Sequence, residues 1–384
     1  MDRQYLDVLT WLRGVAAFFV VVSHVLRTVE VSYLETDGIS YFLPVNLLDL
    51  GAFGVTLFFA LSGCTLYISN KNKVKSIDSF PSFLIKRTFR IWPAFFISLI
   101  VYLVFIELFR MSYSSDKSYW IAQFLKEYSF YDVISYLSLS FNINGNSGLF
   151  ISPYWSLPVE YQYYLMLPIV MLLMRYLVVK NLDFIPPILV SIALYACYKF
   201  KFIEIERTEI FQLGYVFFGG VLAAKYYNFI RFKIPFWISV LILFSISIFL
   251  GSIKNDFIVI PPSVPFFSTK WNMFGMCSIF LVLIALITDL PFHKSKILEV
   301  LHRYGTISYS IYLTHMLFLG ISTLAIIYSG IFDSATKLIF TFLFTVVGSY
   351  HFSKLSYLYI EKPTIDLGRR IALRFEKQDT VLAT

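Results

Sequence analysis

Apolar residues run through this chain in blocks of about 17–25, separated by short polar or charged breaks. Ten such blocks stand at roughly 9–27, 49–69, 91–110, 161–179, 184–200, 210–227, 234–251, 271–290, 307–328 and 335–358. A helix needs about 20 apolar residues to cross a hydrocarbon core of about 30 Å. The pattern therefore predicts an all-α integral membrane protein of about ten transmembrane helices. The block at 184–200 is short and opens on Pro186-Pro187. An even number of crossings returns both termini to one side.

Composition agrees with that reading. Of 384 residues, 58% are hydrophobic and 15% charged, with a mean hydropathy of +0.71, whereas soluble domains run near 45–50% and 25%. The first block lacks a basic leader and a small-residue cleavage site and carries Arg13 within it, so it reads as a retained helix. Cys64, Cys197 and Cys277 stand singly in apolar blocks, with neither disulfide nor zinc spacing, and no metal site is expected. The formal charge of +8 raises nucleic acid as a partner, but its distribution answers otherwise. The segments on the side of the N-terminus hold about twice as many Lys and Arg as those opposite, which is the positive-inside bias. An N-in/C-in topology follows, and the charge needs no nucleic acid. The stretches 111–160 and 252–270 then lie outside, the former with a short apolar piece at 133–141 that is too short to span.

Ionisable groups inside membrane helices are costly and mark pockets or pathways. Arg13 and His24 are eleven residues apart, almost three turns, so they share one face about 16 Å apart along the axis. Arg13 also fits a residue snorkelling to the inner interface, and His24 a satisfied helix-end histidine. Arg87 and Arg90, at i and i+3, are neighbours on one face at the cytoplasmic entrance. Paired guanidiniums match phosphate oxygens, although ordinary positive-inside anchoring would place them there too. Glu160 opens the block at 161–179, where a helix dipole stabilises a carboxylate. Placed at the same outer depth as His24, it would complete a general-base unit. Ser62 reads as a packing residue or an oxyanion donor. Ser308, Tyr312 and His315 form a polar stripe that either lines a cavity or bonds between helices. His351 and Glu361 read as structural, and His293 and His302 carry no signal.

These segments resemble the membrane-bound acyltransferase-3 family. The resemblance rests on Leu6-Asp7 through Leu12-Arg13-Gly14 to His24, on Phe58-Phe59-Ala60-Leu61-Ser62-Gly63, and on Arg87-Thr88-Phe89-Arg90. It rests further on Trp155-Ser156-Leu157-Pro158-Val159-Glu160, on Gly305 to Ser308-Tyr309-Ser310-Ile311-Tyr312-Leu313-Thr314-His315, and on Glu361-Lys362-Pro363. The six occur in the family's order over residues 5–363. The resemblance implies one transmembrane domain over 1–363, with 364–384 a short basic cytoplasmic tail, in a bacterial cytoplasmic membrane. It implies transfer of an acetyl group from acetyl-CoA, with no permanently bound cofactor, to a carbohydrate such as O-antigen, exopolysaccharide or a lipid-linked sugar. It also implies that Arg13, Arg87 and Arg90 hold the donor and that His24 and Glu160 are catalytic. The SGNH domain of some relatives is not expected here. A succinyl or longer acyl donor, and a glycolipid transporter or flippase, are the alternatives; the chain shows no matched broken helices of the transporter kind.

Overall fold

A computed structural model describes the chain except residues 1–2, 34–49, 113–125, 144–149, 204, 206–207, 255–257, 259–265, 267–268, 290–295, 330–333 and 383–384. The expected outer loops 111–160 and 252–270 thus lie partly outside the described residues, as does His293. Thirteen helices carry the fold here: α1 (Arg3–Tyr33), α2 (Gly51–Asn70), α3 (Ser79–Ser112), α4 (Phe130–Leu137), α5 (Ser156–Leu177), α6 (Ile185–Phe200) and α7 (Gly214–Tyr226). They continue as α8 (Phe236–Lys254), α9 (Lys270–Leu286), α10 (Lys296–Thr306), α11 (Ser308–Ser329), α12 (Ser334–Ser356) and α13 (Lys362–Leu382). The β structure among the described residues is a two-residue parallel pairing, Ile234–Pro235 with Thr288–Asp289.

All ten apolar blocks are helical, but they are not equivalent. Among the described residues seven helices are long and apolar enough to cross a membrane, while α6 and α9 are shorter apolar helices and α7 has only 13 residues. Of the ten crossings expected from the hydropathy pattern, seven thus have a helix of full length and hydropathy among the described residues. The short apolar piece at 133–141 forms α4, whose Ser129 caps Asp132 and is capped by it in return.

α2 is the centre of the bundle, packed by α1, α7 and α9. A water-free exterior provides no hydrophobic drive between helices, so close van der Waals contact has to hold them. Glycine permits that contact. A Cβ on Gly63 would lie 1.9 Å from the Phe217 carbonyl oxygen, and one on Gly220 would lie 2.1 Å from that of Ala60. The α2 and α7 backbones thus touch from both sides. α8, by contrast, turns Trp237, Val240, Leu241 and Phe244 outward, as a lipid-facing helix does.

The other elements that matter for the site lie at one end. α10 packs on α1, with Gly305 against the Thr10 carbonyl. α12 runs through a π-turn, Tyr357–Glu361, into α13, which lies along α3 with Gly368 against Phe89. The residues expected as a short basic tail are thus mostly a helix packed on the bundle.

A graded pair of substitutions tests the α2–α7 contact. Gly220→Ala drives a methyl into backbone, whereas at Gly219 the methyl meets the movable end of Ile279, 2.4 Å away. Overpacking costs about 1–3 kcal/mol, so Gly220→Ala should lower the melting temperature in detergent clearly more than Gly219→Ala. Equal shifts would contradict the packing described.

Candidate active site

The site begins with three arginines from two helices. Arg13, midway along α1, reaches α2 and donates from Nη2 to Thr65 Oγ1 at 2.7 Å. Thr65 in turn donates to the Leu61 carbonyl at 2.7 Å, a back-bond within the helix that aims its remaining lone pair at the guanidinium. Arg87 and Arg90 stand one turn apart on α3, and Arg87 lies over the Phe83 ring at 5.9 Å. The Arg87 Nε is buried with no acceptor among the described residues.

Two carboxylates face this cluster. Glu160 on α5 accepts from Ser62 Oγ at 2.5 Å and from the Tyr164 hydroxyl at 2.5 Å. Tyr164 follows Glu160 by one turn, so helix geometry alone aligns that pair. Glu160 acts electrostatically on both Arg13 and Arg87. Glu361, at the end of the π-turn, is buried at 1% exposure and accepts from Ser310 Oγ at 3.0 Å. Arg90 and Arg13 both act on it electrostatically. Three guanidiniums against two carboxylates leave the cluster net positive, and a low-dielectric surround magnifies the attraction of such a site for an anion.

These groups enclose a narrow cavity of about 80 Å³, lined by Arg13, Arg87, Arg90, Ser62 and Glu160 at one end and by Phe58 and Tyr312 at the other. Tyr309 joins its α11 and α3 walls by donating to the Ile91 carbonyl at 2.8 Å. Tyr312 closes the far end. Its hydroxyl donates to the Pro153 carbonyl at 2.5 Å, so Ser156 Oγ, 2.7 Å away, donates to Tyr312.

The histidines lie beyond Tyr312. Its ring is 6.1 Å from that of His315, and the His315 ring is 5.1 Å from that of His24. The partners assign the tautomers. His315 Nδ1 sits 3.0 Å from the Ile311 carbonyl, which can only accept, so Nδ1 holds the proton and Nε2 the lone pair. That lone pair faces His24 Nδ1 at 3.3 Å, and His24 Nδ1 also donates to the Val20 carbonyl at 2.9 Å. The proton of His24 is thereby fixed on Nδ1, and the basic lone pair sits on Nε2.

The structure thus brings Arg13, Arg87, Arg90 and Glu160 into one cavity and leaves His24 with His315 instead. Gly51 touches Ser23, next to His24, and Ser62 lies eleven residues further along α2, about 16 Å. His24 and the Glu160 carboxylate therefore lie about three helical turns apart along α2, not side by side at one depth. The cause is the entry of α5. The preceding turn, Ser152–Trp155, is a 3₁₀ turn whose Tyr154 and Trp155 are buried, so the helix begins inside the protein. Of the polar stripe on α11, Ser308 and Tyr312 line the cavity and His315 bonds across to α1. Thr65, Tyr164 and Tyr309 belong to the site without having been singled out in the sequence. Their helical spacing, Thr65 from Ser62, Tyr164 from Glu160 and Tyr309 from Tyr312, was the available signal.

The arginine cavity and the His24–His315 pair thus lie within one apolar helical bundle, joined through Tyr312. A family model described as an acyltransferase domain matches residues 4–354, and the chain belongs to the acyltransferase-3 family. No curated protein and no solved structure matches it.

Removing one partner of Glu160 should register as stability. A hydrogen bond to a charged group contributes about 1.5–3 kcal/mol. Tyr164→Phe should therefore lower the melting temperature, and Glu160→Gln, which also exposes the arginines to one another, should lower it further. A Glu160→Gln protein as stable as wild type would show that the carboxylate does not balance the cluster.

Proposed function

We propose that the protein transfers an acetyl group from acetyl-CoA to a sugar hydroxyl of a cell-surface polysaccharide or its lipid-linked precursor, in a bacterial cytoplasmic membrane. The observation that carries this reading is the continuous order arginine cluster, narrow cavity, Tyr312, His315, His24. A donor that is anionic at one end and bears a thioester on a long thin arm at the other fits that order. The end of the bundle holding Arg87 and Arg90 would face the cytoplasm, in keeping with its surplus of basic residues.

In this scheme Arg13, Arg87 and Arg90 neutralise the donor's diphosphate, which explains a net positive cavity in a setting where uncompensated charge is expensive. Glu160, held by Ser62 and Tyr164, offsets the mutual repulsion of the arginines. The pantetheine arm passes along the cavity and brings the thioester past Tyr312. His24 Nε2 accepts the proton of the sugar hydroxyl as its oxygen attacks the thioester carbonyl, and the C–S bond breaks to release CoA thiolate, which takes up a proton. The imidazolium that forms on His24 still donates from Nδ1 to Val20 O and His315 Nε2, so His315 acts as a positioning residue that stabilises it. The sequence reading gave that supporting role to Glu160; the hydrogen bonds favour His315.

Purified protein in nanodiscs separates these roles. Arg87→Ala/Arg90→Ala should abolish acetyl-CoA binding. His24→Ala should bind acetyl-CoA normally and lose turnover by about 10²–10⁴-fold, the usual span for a general base. His315→Leu should lower kcat with little change in KM, while His315→Gln, which keeps an acceptor, should recover part of it. Full activity in His24→Ala, or loss of binding there with binding intact in the arginine variant, would overturn the assignment.

A further inference from the structure

The arginine cavity shares Arg87 and Arg90 with a second, larger space that the chemistry above leaves unused. This groove, about 760 Å³, lies at the basic end between the turn that follows α2, the start of α3 and the face of α13. Lys73 and Lys75 come from the turn, Lys86 from α3 and Arg369 from α13. No carboxylate lines it among the described residues; Asp366 pairs with Arg369 from outside at 3.0 Å.

The groove is a built feature. The turn is held by the Lys73 and Val74 amides, which donate to the Asn70 carbonyl at 2.8 and 3.0 Å. Asn70 Nδ2 donates to the Leu66 carbonyl at 2.8 Å, and Val74 is buried at 2% exposure. Lys73 and Lys75, on either side of that anchor, are exposed. The opposite wall is fixed by Gly368, whose missing Cβ would lie 2.5 Å from Phe89 Cβ.

We propose that this groove is a subsite for the 3′-phosphoadenosine end of the acyl-CoA donor, and that it makes the protein selective for free acyl-CoA over donors that end at phosphopantetheine. The inference rests on the acyl-CoA reading and extends it. The groove is wide where the inner cavity is narrow, as a nucleotide followed by a thin arm requires. Its other cations, Lys73, Lys75, Lys86 and Arg369, lie beyond the arginines assigned to the diphosphate, where a further phosphate would sit. A phosphate monoester carries about −1.5 to −2 charge near neutral pH. Lysines on flexible stems suit it as point charges. α13 then becomes part of the donor site through Arg369.

Displacement of labelled acetyl-CoA from wild-type protein in phosphatidylcholine nanodiscs tests this, with acetyl-CoA, 3′-dephospho-acetyl-CoA and acetyl-phosphopantetheine as competitors. The loss of one or two charge-assisted contacts predicts that 3′-dephospho-acetyl-CoA binds at least about tenfold more weakly than acetyl-CoA. In Lys73→Ala/Lys75→Ala that ratio should fall toward one, through weaker binding of acetyl-CoA and little change for the dephospho form. Arg369→Ala should reduce the ratio in the same sense. Equal affinity for the two forms in wild type would overturn the subsite and leave the donor reading standing. A ratio unchanged in both variants would remove these residues from it. Absence of acetyl-CoA binding to folded wild type would overturn the donor reading itself.

Discussion

Placing three guanidiniums inside an apolar bundle is the constraint on which the rest of this structure turns. An arginine in a membrane helix cannot be left without a partner, and here Arg13, Arg87 and Arg90 also repel one another. Thr65, Ser62, Tyr164, Glu160, Ser310 and Glu361 can each be understood from that demand. They supply acceptors, or they orient the carboxylates that do. Two carboxylates do not fully cancel three cations, and the residual charge is the property that an anionic donor would use.

Building such a cavity needs backbones to approach closely on one side and stay apart on the other. The α2–α7 contact, sealed at Gly63 and Gly220, leaves the opposite face of α2 to present Ser62 and Thr65 to α5 and α1. The buried entry of α5 sets the depth of Glu160. The π-turn after α12 brings Glu361 inward and launches α13 along α3. π-turns are frequent at functional sites, and this one places a carboxylate on one side and the wall of a basic groove on the other.

Much of this was legible in the sequence, and what was not has a physical cause. Every apolar block is a helix, because hydropathy and length report what a membrane demands of a segment. α7 and α9 are shorter than their apolar blocks because those blocks merge helix with flanking apolar turns, whereas α6 is as short as its block. The arginines could be placed together because they lie at comparable positions from one end of their helices. The partner of His24 could not. A depth inferred from the start of α5 assumes a helix that begins at the surface, whereas Tyr154 and Trp155 begin it in the interior. His315 is 291 residues from His24 in sequence, and its place in a polar stripe said that it faced something without saying what. α13 was missed as a packed element because its polar face dominates its composition.

Sidedness tests the central claim most directly, namely that the donor enters at the arginine end and reacts at the histidine end. Sealed inside-out and right-side-out vesicles from cells making the protein would be given labelled acetyl-CoA, with their own carbohydrate as acceptor. Carbohydrate should be labelled in inside-out vesicles, where the face carrying Lys73, Lys75 and Arg369 meets the donor, and not in intact right-side-out ones. Labelling of equal extent in both, or only in the right-side-out preparation, would contradict it.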